Sequence, residues 1–168
     1  MNCLVIIDGQ EFVIGTSAIQ SLVTSTPDDI ANSTLFSLLA KHPAATVRWA
    51  VACKEKLAPE TAILLSKDKD LDILRSIVRN ETFRKVATDK DLKRLFEIGD
   101  RNLRESIANN PETYENCEYN LILKLILDCK DSGIRTSLAE NYKTPKRILK
   151  ILKNDSDPDV RSAANRER

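Results

Sequence analysis

The chain has 168 residues, 42% of them apolar and 30% charged, with 26 basic against 25 acidic side chains and a net charge of +1. That length suits one domain with a core of its own, and the balanced charge supplies no electrostatic footprint for a nucleic acid or an anionic membrane. No apolar run approaches the roughly 20 residues of a membrane-spanning helix, while only 4 glycines and 5% aromatics favour helix over sheet.

The first stretch, NCLVIIDGQEFVIG, is two apolar runs around Asp8-Gly9. Asp-Gly between strand-like runs predicts a two-residue hairpin of type I′. A lone hairpin is marginal in water. This one is expected to cover the first repeat as an N-terminal cap, to pair by its edge with another chain, or to receive a partner strand. The same stretch carries no basic leader and its apolar run is short for a signal peptide, so a cytoplasmic location is expected. Thr16 to Ser25 reads as a short helix, and Thr26-Pro27 leads to the first repeat. Residues 1–34 are therefore expected to form a cap and residues 35–168 a repeat array.

The array is legible in one recurring phrase. An apolar anchor stands at Val47, Ile73, Leu103, Ile134 and Val160, spaced 26, 30, 31 and 26 residues apart. Three residues earlier stand Asp70, Asp100, Asp131 and Asp157, with Ala44 in the first repeat. An aspartate just before an apolar periodic segment predicts a helix N-cap, because its carboxylate accepts from a free backbone N–H. Arginine follows the anchor at Arg48, Arg104, Arg135 and Arg161, and two places on come the small residues Ala50, Ser76, Ser106, Ser137 and Ala163, as expected where two helices approach closely. Asn80, Asn110 and Asn141 are placed to close these helices in a left-handed C-terminal cap.

A second helix precedes each of these. Its core pairs are Leu38-Leu39, Leu64-Leu65, Leu95-Phe96, Leu125-Ile126 and Ile151-Leu152, with a further apolar residue about one turn earlier at Leu35, Leu92, Ile122 and Ile148. Pro59 and Pro145 open two of them, where a missing N–H costs nothing. Each unit is thus a helical hairpin that cannot bury its apolar face alone. Stacking predicts an all-α architecture, an α-solenoid of about five repeats at 35–57, 58–84, 85–113, 114–143 and 144–168, with a short N-terminal β-hairpin. Boundaries near Glu81 to Asp91 are irregular. At about 8 to 10 Å between neighbouring helices, five repeats predict a groove on the order of 40 Å long, suited to a peptide or protein surface.

These columns resemble those of the leucine-rich repeat variant and HEAT-like families, whose pattern runs T-P, L-x-x-L, then D-x-x-V-R-x-x-V-A-x-N. Thr144-Pro145, Leu149, Leu152, Asp157, Val160 and Arg161 match it, as do Asp131, Ile134, Arg135, Leu138, Ala139 and Asn141. The resemblance implies a binding scaffold, here a non-catalytic protein–protein interaction module. Some variant-repeat proteins carry a cysteine-rich iron–sulfur segment; Cys3, Cys53, Cys117 and Cys129 are dispersed and do not match it.

Two residue sets are candidate binding sites. Arg48, Arg104, Arg135 and Arg161 could line one surface for an acidic peptide or, as the alternative function, for a nucleic-acid backbone. Asp100, Asp131 and Asp157 each lie four residues before one of them, which predicts intrahelical ion pairs instead. Trp49 stands in a column that is otherwise polar, with Arg75, Glu105, Thr136 and Ser162 at the equivalent places. It is either an exposed anchor or lies beneath the N-terminal hairpin. Tyr114, Tyr119 and Tyr142 fall near inter-helix turns. No catalytic group is expected: His42 has no nucleophile beside it, no glycine-rich phosphate loop exists, and neither metal nor cofactor is indicated. A monomer is expected, with the hairpin or the last repeat available for a homodimer.

Overall fold

The computed structural model describes residues 3–166. Strands β1 (Cys3–Ile7) and β2 (Gln10–Ile14) pair antiparallel, with Leu4 opposite Val13 and Ile6 opposite Glu11. Asp8 and Gly9 take φ of 49° and 81°, the two positive values that a tight I′ turn requires. The side chains of Leu4, Ile6, Phe12 and Val13 are exposed. Helix α1 (Thr16–Ser25) buries Ile19 and Val23 and packs on the helix that carries Val47.

Five pairs of consecutive helices follow. They are α2 (Ser33–Leu39) with α3 (Ala45–Ala52), and α4 (Pro59–Leu65) with α5 (Leu71–Ile77). After an extra short helix, α6 (Glu81–Val86), come α7 (Asp89–Ile98) with α8 (Arg101–Ala108). Then come α9 (Tyr119–Leu127) with α10 (Ser132–Glu140), and α11 (Lys146–Leu152) with α12 (Pro158–Asn165). Single 3-10 turns sit at Ile30–Asn32 and Pro111–Thr113. Helices this short are unstable alone, since isolated helices below about 12–15 residues are marginal in water. Packing holds them, and caps define their ends. Asp70, Asp100, Asp131 and Asp157 each accept from backbone N–H groups of α5, α8, α10 and α12, as the aspartate column predicts. Thr88 and Asp91 form a reciprocal capping box on α7.

The chain groups into two compact units, one ending at Phe83 and one beginning at Arg84. The boundary lies one residue from the expected end of the second repeat, where ETFRKV inserts α6 and breaks the repeat spacing. In the first unit α3 packs between α1 and α5, and α2 packs on both α3 and α4. In the second, α10 packs between α8 and α12, α7 packs on α9, and α11 on α12. The anchors Val47, Ile73, Leu103, Ile134 and Val160 are all fully buried, and Ala50, Ser106, Ser137 and Ala163 are buried at the close helix approaches.

The double apolar columns of the first helices are only half core. Leu39, Leu65, Ile126 and Leu152 are buried, whereas Leu38, Leu64 and Ile151 are exposed. Adjacent residues on a helix point about 100° apart, so one core face rarely takes both. In α7 both Leu95 and Phe96 are buried.

Gly99 ends α7 where the next helix passes closely. A Cβ there would lie 2.5 Å from the Leu95 carbonyl oxygen and 2.8 Å from Leu103 Cδ2. Gly99→Ala is therefore expected to cost roughly 1–3 kcal/mol in urea unfolding. At Gly133 an added Cβ meets chiefly the flexible tip of Arg101, so Gly133→Ala serves as the tolerated control. Equal losses at the two positions would contradict the close approach at Gly99.

Candidate functional site

Three of the four column arginines share one geometry. Arg48 Nη1 donates to the carbonyls of His42 and Pro43, both at 2.8 Å, in the turn that leads into α3. Its Nε and Nη2 donate to Asp68 Oδ2 and Oδ1 at 2.6 and 3.1 Å, so the guanidinium forks onto an aspartate in the following hairpin. Arg135 repeats this: Nη1 donates to the Cys129 carbonyl, and Nε and Nη2 donate to Asp155 at 2.7 and 2.8 Å. Asp68 and Asp155 in turn accept from the N–H of Asp70 and Asp157, the two cap residues. Arginine, turn aspartate and cap aspartate therefore form one inter-hairpin rung, made twice. The intrahelical pairs expected from four-residue spacing are replaced by these longer-range ones, because turn carbonyls just before each arginine's own helix hold the guanidinium over the turn, where the aspartate of the next hairpin meets it.

Arg104 differs. Cys129, not an aspartate, stands two residues before the cap Asp131. Arg104 turns Nε onto the Phe96 carbonyl at 2.7 Å and lies over the Phe96 ring at 5.8 Å. Arg161 keeps the orientation of the paired arginines, with Nη1 on the Asp155 and Ser156 carbonyls at 2.7 and 2.8 Å.

Two of the column asparagines, Asn80 and Asn141, form a second set of rungs. Asn80 is buried, and its Nδ2 donates to the Lys54 carbonyl at 2.6 Å while Oδ1 accepts from Phe83 N–H. Asn141 Nδ2 donates to the Asn109 carbonyl at 2.8 Å. Neither is a left-handed cap: among the described residues Asp8 is the one non-glycine with positive φ. Both amides reach the neighbouring hairpin's backbone.

The rungs predict an acid dependence. Burial pushes the Asp68 carboxyl up, but its bonds with Arg48 and with the Asp70 N–H outweigh that and hold it below the usual range. The Arg135 bond holds the Asp155 carboxyl below it too. A depressed folded value means that the unfolded chain takes up the proton first. The contribution is whole above the ordinary carboxylate value of about 4 and is lost as pH falls through the lower folded value. Urea unfolding free energy is expected to fall steeply below about pH 4 in the native chain, and less steeply in the double variant Asp68→Asn, Asp155→Asn. Identical slopes would contradict the rungs.

Trp49 is 41% exposed and not covered by the N-terminal hairpin. It lines a shallow hollow with Ala45 and Thr46 of α3 and with Asp70 and Asp72 at the start of α5. The place is set by α3 and α5 packing side by side, which brings two carboxylates to one indole. Asp72 also pairs with Arg75. An aromatic face bordered by carboxylates suits a cationic side chain and repels phosphate.

The remaining candidates are structural in position. Tyr114 is buried and Tyr142 exposed, with Lys143 over its ring at 5.6 Å, so they do not form one rim. Cys53, Cys117 and Cys129 are free thiols. Burial, with Asp89 and Asp91 nearby, pushes the Cys117 thiol up to about 12, while it contacts the Ala87 carbonyl, so it is unreactive at neutral pH. His42 occupies the turn position of Asp68 and Asp155. Its Nδ1 accepts from Ala44 N–H, and its Nε2 is buried without a hydrogen-bond partner. No group of three or more His, Cys, Asp or Glu that could hold a metal occurs among the described residues. No helix among them is long and apolar enough to cross a membrane.

No protein-family model, curated protein or solved structure matches the chain.

Proposed function

We propose that the chain is a non-catalytic protein-interaction scaffold built from HEAT-like helical hairpins. The observation that carries this reading is Trp49. A large side chain held half-exposed between α3 and α5, where other hairpins carry polar residues, contributes little to the core and much to a contact. Its two acidic neighbours select a lysine or arginine of a partner protein. Arg48 and Arg135, by contrast, are engaged with Asp68 and Asp155, which argues against a phosphate-binding arginine surface. The free thiols fit a reducing, cytoplasmic setting.

The test is affinity capture from the native host with the native chain and Trp49→Ala in parallel, each split into nuclease-treated and untreated halves. Proteins that survive nuclease and are lost from Trp49→Ala are expected. Co-purifying nucleic acid, with every captured protein lost on nuclease treatment, would refute the scaffold reading in favour of nucleic-acid binding.

A further inference from the structure

The geometry points to an arginine side chain of a partner polypeptide as the occupant of the hollow beside Trp49. The inference rests on the scaffold reading and names the residue type that the same site takes. The hollow measures about 180 Å³. That is below the roughly 300–1,000 Å³ of a small-molecule pocket, so it has room for one side chain.

The fold supplies its own comparison. Two residues before each apolar anchor, a side chain is placed to reach the cap aspartate of the next second helix. In the α8–α10 pair that side chain is Arg101, two residues before Leu103. Its Nε lies 3.7 Å from Asp131 Oδ2, and its guanidinium lies against Gly133 in the first turn of α10. In the α10–α12 pair the position is held by Ser132, whose hydroxyl keeps the Asp157 carboxyl below the usual carboxylate range. In the α3–α5 pair it is held by Ala45, which has no polar group to offer Asp70 and instead lines the hollow. Asp70 Oδ1 accepts from the N–H groups of Asp72 and Ile73, while its Oδ2 accepts from nothing among the described residues. Asp72 stands where α10 has Gly133, the residue against which Arg101 lies. A guanidinium brought from outside to the place of Arg101 therefore meets two carboxylates and the exposed part of the indole.

Charge selects the occupant further. Asp70 and Asp72 against the one guanidinium of Arg75 leave a net charge of −1 at the hollow. One cation balances it, and an anion is repelled. A guanidinium is the better cation here. Its planar, weakly hydrated face stacks on the indole while its N–H edge meets carboxylate oxygens. An ammonium is a compact, strongly hydrated point charge. A shallow hollow whose carboxylates both come from α5 replaces little of that hydration.

Trp49 is the chain's one tryptophan, so its emission reads the hollow directly. The probe is the peptide acetyl-Gly-Arg-Gly-amide, titrated into the full-length chain at fixed ionic strength, with its lysine and citrulline counterparts alongside. A saturable change in the millimolar range is expected from the arginine peptide, with binding about fivefold or more weaker for lysine and none for citrulline. The peptides leave the protein untouched, so a folding defect cannot imitate that order. Ala45→Arg is expected to place the chain's own guanidinium in the hollow, shifting Trp49 emission without peptide and abolishing the response to it. No saturable response, equal affinity for the arginine and lysine peptides, or an Ala45→Arg chain that binds the arginine peptide as the native chain does would overturn the proposal. Nuclease-resistant capture through Trp49 without an arginine preference would sink this inference and leave the scaffold reading standing. Nuclease-sensitive capture would remove the scaffold reading whatever the peptides do.

Discussion

Trp49→Ala is expected to weaken partner binding about thirtyfold or more, the effect of losing one interface anchor worth at least about 2 kcal/mol. The same substitution should change folding stability by no more than about 0.5 kcal/mol, because the ring is 41% exposed and Val47, Ala50 and Val51 carry the core side of α3. The separation of the two readouts is the point. Phosphate binding by the arginine column would leave affinity unchanged in this variant. A tryptophan that merely packs would move stability and binding together. Binding by isothermal titration against the captured partner, with urea unfolding alongside, distinguishes the cases.

Arg135→Ala is expected to cost about 3 kcal/mol of folding stability, since it strands a carboxylate that is itself about nine-tenths buried. Side-chain exposures of 11% for Arg135 and 10% for Asp155 leave little of either side chain open to water. Removing the guanidinium also frees the Cys129 carbonyl in the turn between α9 and α10. Asp131→Ala removes one helix cap and should cost only about 1 kcal/mol. Comparable losses in the two variants, measured by urea unfolding at neutral pH, would mean that Arg135 is an ordinary surface residue.

Much of this organisation was legible as repetition. The anchors, the small-residue column and the aspartate caps each encode a local rule, which the small-residue column keeps by burial at Ala50, Ser106, Ser137 and Ala163 and not at Ser76. The arginine partners were not legible from one helix, because Asp68 and Asp155 lie twenty residues downstream of Arg48 and Arg135. A signal for them does exist in the sequence: Asp68-Lys69-Asp70 and Asp155-Ser156-Asp157 repeat an aspartate two residues before the cap. Asn80 and Asn141 were misread for a related reason. Both the rung and the cap place asparagine at a helix end, and what separates them is a neighbouring backbone that a single repeat does not contain. The exposed half of each leucine pair follows from helix geometry, since Leu38 and Leu39 cannot face one core together. For Trp49, a break in a polar column marked the residue, and the packing of α5 on α3 supplied Asp70 and Asp72.

The central claim is that Arg48 and Arg135 are part of the fold and that partner recognition at Trp49 does not use them. A double-mutant cycle on Arg135→Ala and Asp155→Ala, read by urea unfolding at neutral pH, tests it most directly. The rung predicts a coupling free energy of about 2 kcal/mol or more, with the double variant much less damaged than the sum of the two single losses. Additivity within about 0.5 kcal/mol would show that the two side chains act independently, and the column would again be open to a ligand.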